Sequence, residues 1–267
     1  MNTRDAQPRD PSVFSGERCI VVVPCYNEET RLDVGAFARF FQAERHRSIG
    51  ILFVNDGSRD RTLEILEGLH AANPDRVSIL DQQPNRGKAE AVRNGMLRVI
   101  AEGQAAYTGY WDADLATPLE QIPDFLDLLE ERPQLNIVFG ARVRLLGRAI
   151  HRQAIRHYLG RCFATVASIL LRLPIYDTQC GAKLFRITPD LAGVLKEPFH
   201  SRWIFDVEIL ARFLVLHHYD AVHFENEIYE FPLPAWTDVA GSKVKSGDFL
   251  RAFLELATIY RRHLAQR

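Results

Sequence analysis

Up to about Arg142, short apolar runs rich in β-branched residues alternate with longer stretches in which apolar positions recur every three or four residues. The short runs, at 19–24, 49–54, 77–80, 107–111 and 137–139, read as strands buried on both faces. The longer stretches, at 31–45, 62–72, 89–101 and 119–130, read as the helices between them. Strands alternating with helices of this length imply βαβ crossovers, hence an α/β fold with a mainly parallel central sheet flanked by helices. After Arg142 the rhythm changes. A long basic and apolar segment occupies 148–172, a further strand is expected at 224–231, and a terminal helix at 248–263. The reading is a polar tail at 1–17, expected to be disordered, and one domain at 18–267 whose halves meet near Arg142.

Composition narrows the class without deciding it. Among 267 residues, 47% are hydrophobic and 25% charged, which is ordinary for a globular chain. With 33 basic against 34 acidic residues, a strongly basic nucleic-acid-binding protein is disfavoured. Four cysteines, Cys19, Cys25, Cys162 and Cys180, lack Cys-x-x-Cys spacing, so neither a zinc ribbon nor a disulfide framework is indicated. Cys19, Cys25 and Cys180 read as small packing residues, and the usage suits a reducing, cytoplasmic compartment. The tail has no apolar core of a signal or anchor. No run reaches the roughly 18 to 20 apolar residues of a spanning helix.

The chemistry collects where the expected strands end. Tyr110-Trp111-Asp112-Ala113-Asp114 sets two carboxylates one residue apart at the C-terminal edge of the fourth strand, where open α/β sheets bind ligands. Such a pair can hold a hard divalent cation and a nucleotide ribose, and the cation can neutralise a diphosphate leaving group. Alone, Asp-x-Asp also fits a solvated turn. The turn after the first strand reads Pro24-Cys25-Tyr26-Asn27-Glu28, and the turn after the second reads Asn55-Asp56-Gly57-Ser58-Arg59-Asp60. Asp56 suits a uracil N3–H acceptor, while Ser58 or Asp60 can cap the next helix. Asn85-Arg86-Gly87-Lys88 opens the third helix as a candidate anion site. No Gly-x-Gly-x-x-Gly follows the first strand, which argues against a dinucleotide oxidoreductase.

In this order, Val-Pro-Cys-Tyr-Asn-Glu, Val-Asn-Asp-Gly-Ser-x-Asp-x-Thr, Asn-Arg-Gly-Lys and Asp-Ala-Asp resemble the family 2 glycosyltransferases of the GT-A fold. The resemblance implies a nucleotide-binding half at 18–142 and an acceptor-binding half at 143–267. It places Pro24, Tyr26, Glu28 and Asp56 around the nucleotide, Lys88 beside it, Asp112 near ribose and diphosphate, and Asp114 on Mg2+ or Mn2+. Further motifs, at 177–185, 202–208 and 236–243, resemble dolichyl-phosphate glucosyltransferases. That implies a UDP-sugar donor, UDP-glucose first, a polyprenyl phosphate acceptor and an inverted, β-linked product. Relatives that make dolichyl-phosphate mannose commonly carry a glutamine where this chain has Ala116, which disfavours GDP-mannose. Asp206 and Lys243 are the candidate catalytic residues. Arg142, Gln179, Arg202, Trp203, Trp236 and Ser242 are candidates for the acceptor and diphosphate loops.

Other readings stay open at this stage. Asp206 and Glu208 also fit a helix N-terminus, Trp203 and Trp236 fit core or rim aromatics, and Gly241-Ser242-Lys243 fits a mobile tip. His151, His157 and His200 lack metal-like spacing. The segment 148–173, with Arg148, Arg152, Arg156 and Arg161 among apolar residues at helical spacing, fits an interfacial helix drawn to anionic lipid. It fits a core helix with solvated arginines equally. The same chemistry on a soluble acceptor or with another sugar nucleotide, and a non-catalytic sugar-nucleotide-binding subunit, are the alternatives.

Overall fold

The computed structural model describes residues 18–144, 146–151, 154–237 and 246–265, with the side chains of 151–157 and 246–250 outside that description. Strand β1 (Cys19–Cys25) leads through α1 (Val34–Gln42) to β2 (Ile49–Asp56), α2 (Thr62–Ala72), β3 (Val77–Gln82), α3 (Lys88–Glu102) and β4 (Tyr107–Trp111). Then come α4 (Ile122–Glu131), β5 (Ile137–Ala141), β6 (Ala149–His151), α5 (Ala154–Leu171) and β7 (Ala182–Arg186). The chain ends through α6 (Pro189–Lys196), α7 (Phe205–Leu216), α8 (Ala221–Glu225), β8 (Ile228–Pro232), β9 (Ala235–Thr237) and α9 (Ser246–Ile259), which continues as a π-helical turn, Tyr260–Leu264.

Seven strands form one sheet in the order β3-β2-β1-β4-β7-β5-β8, and β6 pairs with β9 beside it. The ladders β1–β2, β2–β3, β1–β4 and β5–β8 are parallel, and β7 runs antiparallel to both β4 and β5. The sheet is covered on both faces, as continuous apolar strands require. Along β1, Ile20 and Val22 join the core under α3 and α7, whereas Cys19, Val21 and Val23 join Phe37, Leu66 and Phe125 on the other face.

The first five strands and the helices between them lie where the apolar pattern puts them, with ends shifted by one to three residues. Beyond β5 the elements β6, α6 and β9 were not expected, and two further differences have a local cause. The strand expected at 224–231 is the helix α8 followed by β8, because Asp220 caps the backbone of His223 and the Phe224 ring packs at 5.5 Å on Phe213. The antiparallel strand β7 was hidden by Lys183, a fully buried lysine that interrupts its apolar run.

Candidate active site

The order β2-β1-β4 places the reversal of the sheet between β1 and β4, so their C-terminal ends open a switch-point crevice. Asp112 follows β4 there. Its amide donates to Gly181 O at 2.9 Å, and a side chain on Gly181 would stand 2.0 Å from Asp112 Oδ2. Glycine at 181 is therefore a condition for the carboxylate to lie where it does. The turn is pinned by Trp111 Nε1 donating to Thr117 O at 2.7 Å and by Ala116 N donating to Asp114 Oδ1 at 3.1 Å.

Lys88, the first residue of α3, reaches Asp112 Oδ1 at 2.5 Å. Arg31 lies 3.7 Å from Asp114 Oδ2 and 3.4 Å from Glu28 Oε2, which ties the turn after β1 to the carboxylate pair. Burial pulls the Lys88 pKa down, but the carboxylates of Asp112, Asp206 and Asp114 outweigh it and hold the ammonium above its usual value. Burial and the neighbouring Asp112 charge raise the Asp114 pKa, against the Ala116 amide, Lys88 and Arg31. Two carboxylates crowded at one strand end, one of them with its pKa raised by burial and by the other, suit a hard divalent cation.

The turns after β1 and β2 are laced together. Asn27 N donates to Ser58 Oγ, Glu28 N to Thr62 Oγ1 at 2.8 Å, and Glu29 N to Asp60 Oδ2. Asp60 also accepts from Thr62 N, the first amide of α2, although the N-cap position expected for Ser58 or Asp60 is taken by Arg61. Pro24 and Tyr26 flank this turn at the tip of β1, where Pro24 pairs with Val54. Asp56 is buried, and both its oxygens are engaged: Oδ1 by Gln82 Nε2 and Arg86 N, Oδ2 by Asn85 Nδ2 and Gly87 N. In this conformation Asp56 shapes the Asn85–Lys88 turn. Gly57, at φ +67°, lets that turn approach, since a side chain there would meet Asn85 N at 2.4 Å.

Behind the carboxylate pair lies a buried polar group that sequence reasoning found only in part. Tyr110 and Lys183 are register partners across β4 and β7. Lys183 Nζ lies 2.8 Å from Asp206 Oδ1 and donates to Thr178 O and Cys180 O. The Tyr110 hydroxyl donates to the same Asp206 oxygen. Burial and Asp206 push the Tyr110 pKa far up, keeping the phenol protonated. Glu208, one helical step beyond, binds the amides of His200 and Ser201 and the Arg212 guanidinium, so it organises the fold.

Past the end of β5, Arg142 grips Asp177 at 2.6 and 2.7 Å with its guanidinium over the Trp236 ring. Arg142, Gln179, Arg161 and Tyr176 line a small cleft against α5. Arg202 and Trp203 are exposed in the loop before α7, where Trp203 N donates to Glu255 of α9. Thr237 N donates to Ala116 O, so the chain leaves β9 beside the Asp112–Asp114 turn. Ser242 and Lys243 follow it and lie outside the described residues, as do the tail 1–17 and the side chains of Arg152 and Arg156. Arg31, Lys183, Tyr110 and Gly181 were not singled out from the sequence. An arginine three residues after Glu28 and a lysine inside an apolar run were the available signals.

Residues 20–193 match the family described as Glycosyl transferase family 2. The chain belongs to glycosyl transferase family 2. It is 31% identical over 262 residues to a dolichyl-phosphate beta-glucosyltransferase (ALG5C) of Trichomonas vaginalis, covering 93% of this chain and 73% of that one. It is also 31% identical over 259 residues to the human dolichyl-phosphate beta-glucosyltransferase, covering 91% and 75%. Among solved structures, this glycosyltransferase shares its fold with Mycobacterium tuberculosis glucosyl-3-phosphoglycerate synthase in complex with Mn2+, UDP and glucosyl-3-phosphoglycerate. There the TM-score is 0.61 at 17% identity, over 93% of this chain and 80% of that one. It likewise shares the fold of the Pyrobaculum calidifontis mannosyltransferase in complex with GDP-Man and Mn2+, at TM-score 0.60 and 16% identity, over 95% and 67%. The GT-A fold expected from the sequence is the fold of the protein.

Proposed function

We propose that this glycosyltransferase moves glucose from UDP-glucose to a polyprenyl, dolichyl-type phosphate, with inversion and with a divalent cation, Mg2+ or Mn2+. The observation that carries the reading is the meeting of Asp112, Asp114 and Lys88 at the β1/β4 crevice, a place built to receive a nucleotide diphosphate. The acceptor and sugar follow from the relatives, which are named for dolichyl phosphate and glucose.

When bound, the cation supplies positive charge to the diphosphate as it leaves. Asp112 and Asp114 would hold it. The chain's own residues do the rest. Lys88 sets a fixed ammonium beside the leaving diphosphate, and Arg31 adds charge behind Asp114. The turns of Pro24–Glu28 and Asp56 shape the base pocket. An acceptor phosphate oxygen attacks the anomeric carbon as the bond to the β-phosphate oxygen breaks, and UDP departs with the electron pair.

Asp206 supports a phosphate acceptor. Its Oδ1 is already shared by Tyr110 and Lys183, a structural engagement. A phosphate monoester is largely ionised near neutral pH, with a second pKa of about 6, and needs no base. In this reading Asp206 positions the end of β4, and Lys243, which lies outside the described residues, is the candidate to counter leaving-group charge.

Access to a lipid acceptor would come from the surface of α5 and α9. No helix among the described residues is long and apolar enough to cross a membrane. Tyr158 and Ile169 on α5, 70% and 69% exposed, and Leu254 on α9, 63% exposed, present apolar groups on helices joined by the Phe163–Phe253 ring contact. Arg172, Arg251, Arg261 and Arg262 bring positive charge to the same two helices, which suits anionic headgroups. Calorimetry with Mn2+ tests the donor half: UDP should bind at least ~10-fold more tightly than GDP, a gap of about 1.4 kcal/mol. Equal binding removes the uridine assignment.

A further inference from the structure

The end of α7, the helix α8 and the approach to β8 bring two histidines and a glutamate together. His217 Nδ1 and His223 Nε2 each lie 3.5 Å from the same atom, Glu227 Oε1, and neither contact is a hydrogen bond. The three ligand atoms all fall within 4.8 Å of one another. Ligands at about 2.0–2.1 Å around tetrahedral zinc stand roughly 3.3–3.4 Å apart, so the two contacts already have nearly the spacing of such a site.

The surrounding groups orient these donors. Glu227 Oε2 accepts from Asn136 Nδ2 at 2.6 Å, which turns Oε1 toward the imidazoles. On the other side of the His217 ring, Nε2 is buried without a hydrogen-bond partner and faces Asp190 Oδ2 at 3.5 Å. A carboxylate at that nitrogen favours the Nε2–H tautomer and leaves the Nδ1 lone pair for a metal. His217 and Glu227 are 14% and 13% exposed and His223 is 69% exposed, so the fourth position opens to water.

A second cluster, His200, Glu208 and His263, provides the contrast. There Arg212 lies 2.7 Å from Glu208 Oε1 and Arg262 lies 2.9 Å from His200 Nε2. Arg212 therefore already holds the Glu208 oxygen, and Arg262 donating to His200 Nε2 puts the ring proton on Nδ1, the nitrogen that faces Glu208.

We propose that His217, His223 and Glu227 form a zinc-class metal site of three protein ligands and one water. It is separate from the Asp112–Asp114 pair, and it clamps the end of α7 to α8 and the start of β8. His217 sits at the opposite end of α7 from Asp206, about 16 Å along the helix axis. Because its three ligands come from three successive parts of the chain, the ion's binding free energy adds to the folding free energy.

The test uses the full chain carrying Asp112→Asn and Asp114→Asn, stripped with chelator, so that bound zinc reports this site alone. Zinc alone is titrated against a chromophoric chelator, and thermal unfolding is followed in parallel. The expected result is one equivalent of zinc with a dissociation constant on the order of micromolar or below and a raised unfolding temperature. His223→Ala, at an exposed position, should weaken binding at least ~10-fold and abolish the thermal gain, while His200→Ala changes neither. Substoichiometric binding at a hundredfold excess of zinc, unchanged binding in His223→Ala, or loss of binding in His200→Ala instead would overturn the proposal.

Discussion

The ammonium of Lys88 stands 2.5 Å from Asp112 Oδ1, joining the first residue of α3 to the end of β4. The pairing gives Lys88 a counter-ion in the unliganded protein and holds it where a diphosphate would take over that role. Lys88→Met should weaken UDP binding by about 10- to 100-fold and lower turnover by ~100-fold or more, with little change in unfolding temperature. Calorimetry and steady-state kinetics measure both. Undiminished UDP affinity would place the diphosphate elsewhere.

Gly181 offers a test of geometry without changing any charge. A methyl group there would stand 2.0 Å from Asp112 Oδ2, so Gly181→Ala must displace the carboxylate. The protein should stay folded by circular dichroism but lose the stabilisation that Mn2+ with UDP confers on the wild type. Equal Mn2+/UDP-induced shifts in both proteins would contradict the role given to Asp112.

Asp114 carries a carboxyl whose pKa is raised by burial and by Asp112. A raised carboxyl pKa disfavours the charged form in the folded state, so at neutral pH the free carboxylate strains the unliganded protein. Asp114→Asn should therefore leave the metal-free protein as stable as the wild type or more so, while removing metal-induced stabilisation and turnover. Differential scanning fluorimetry with and without Mn2+ reads both effects. A strongly destabilised metal-free variant would show that Asp114 serves the fold.

Much of the chemistry was legible because it sits at strand ends, where apolar pattern and polar punctuation alternate. Asp112, Asp114 and Lys88 converge as their positions after β4 and at the start of α3 imply. Asp56 was legible as a strand-end carboxylate but not as the hub of four donors, because its partners come from Gln82–Gly87, about 30 residues on. Lys183 was illegible in kind. A charge in an apolar run reads as surface until its buried partner, Asp206, is known from the antiparallel insertion of β7. The α8–β8 boundary was missed because a local cap at Asp220 overrode an apolar run.

Glu208 ties the fold to pH. Burial pushes its pKa up, but hydrogen bonds from His263, from the Ser201 amide and from His200 outweigh it and leave it well below the usual 4.5. A depressed folded-state pKa means stability that is complete above about 4.5 and lost as pH falls below it toward the folded value. Glu208→Gln should lose up to about 3–5 kcal/mol at pH 7, since buried Arg212 keeps its carbonyl acceptors, Val194 O, Glu197 O and Pro198 O, but loses the carboxylate charge, and should show a shallower decline below pH ~4.5. Urea unfolding across that range tests it, and parallel pH profiles for the two proteins would count against it.

The surface proposed to face lipid can be probed where its side chains are exposed. Tyr158→Asp with Ile169→Asp should reduce flotation with anionic liposomes and transfer to lipid phosphate together, leaving UDP binding intact. Wild-type flotation should decline as salt rises. Full flotation of the double variant would move the docking surface elsewhere.

The central claim is transfer of glucose to a lipid phosphate at the Asp112–Asp114 crevice. The most direct measurement incubates the protein and Asp114→Ala with UDP-glucose, dolichyl phosphate and Mn2+, and weighs the lipid product by mass spectrometry. The account predicts a hexosyl phospholipid product with the wild type, lost in chelator and nearly absent with Asp114→Ala. Transfer that persists in excess chelator, or that goes only to a water-soluble hydroxyl acceptor, would contradict it.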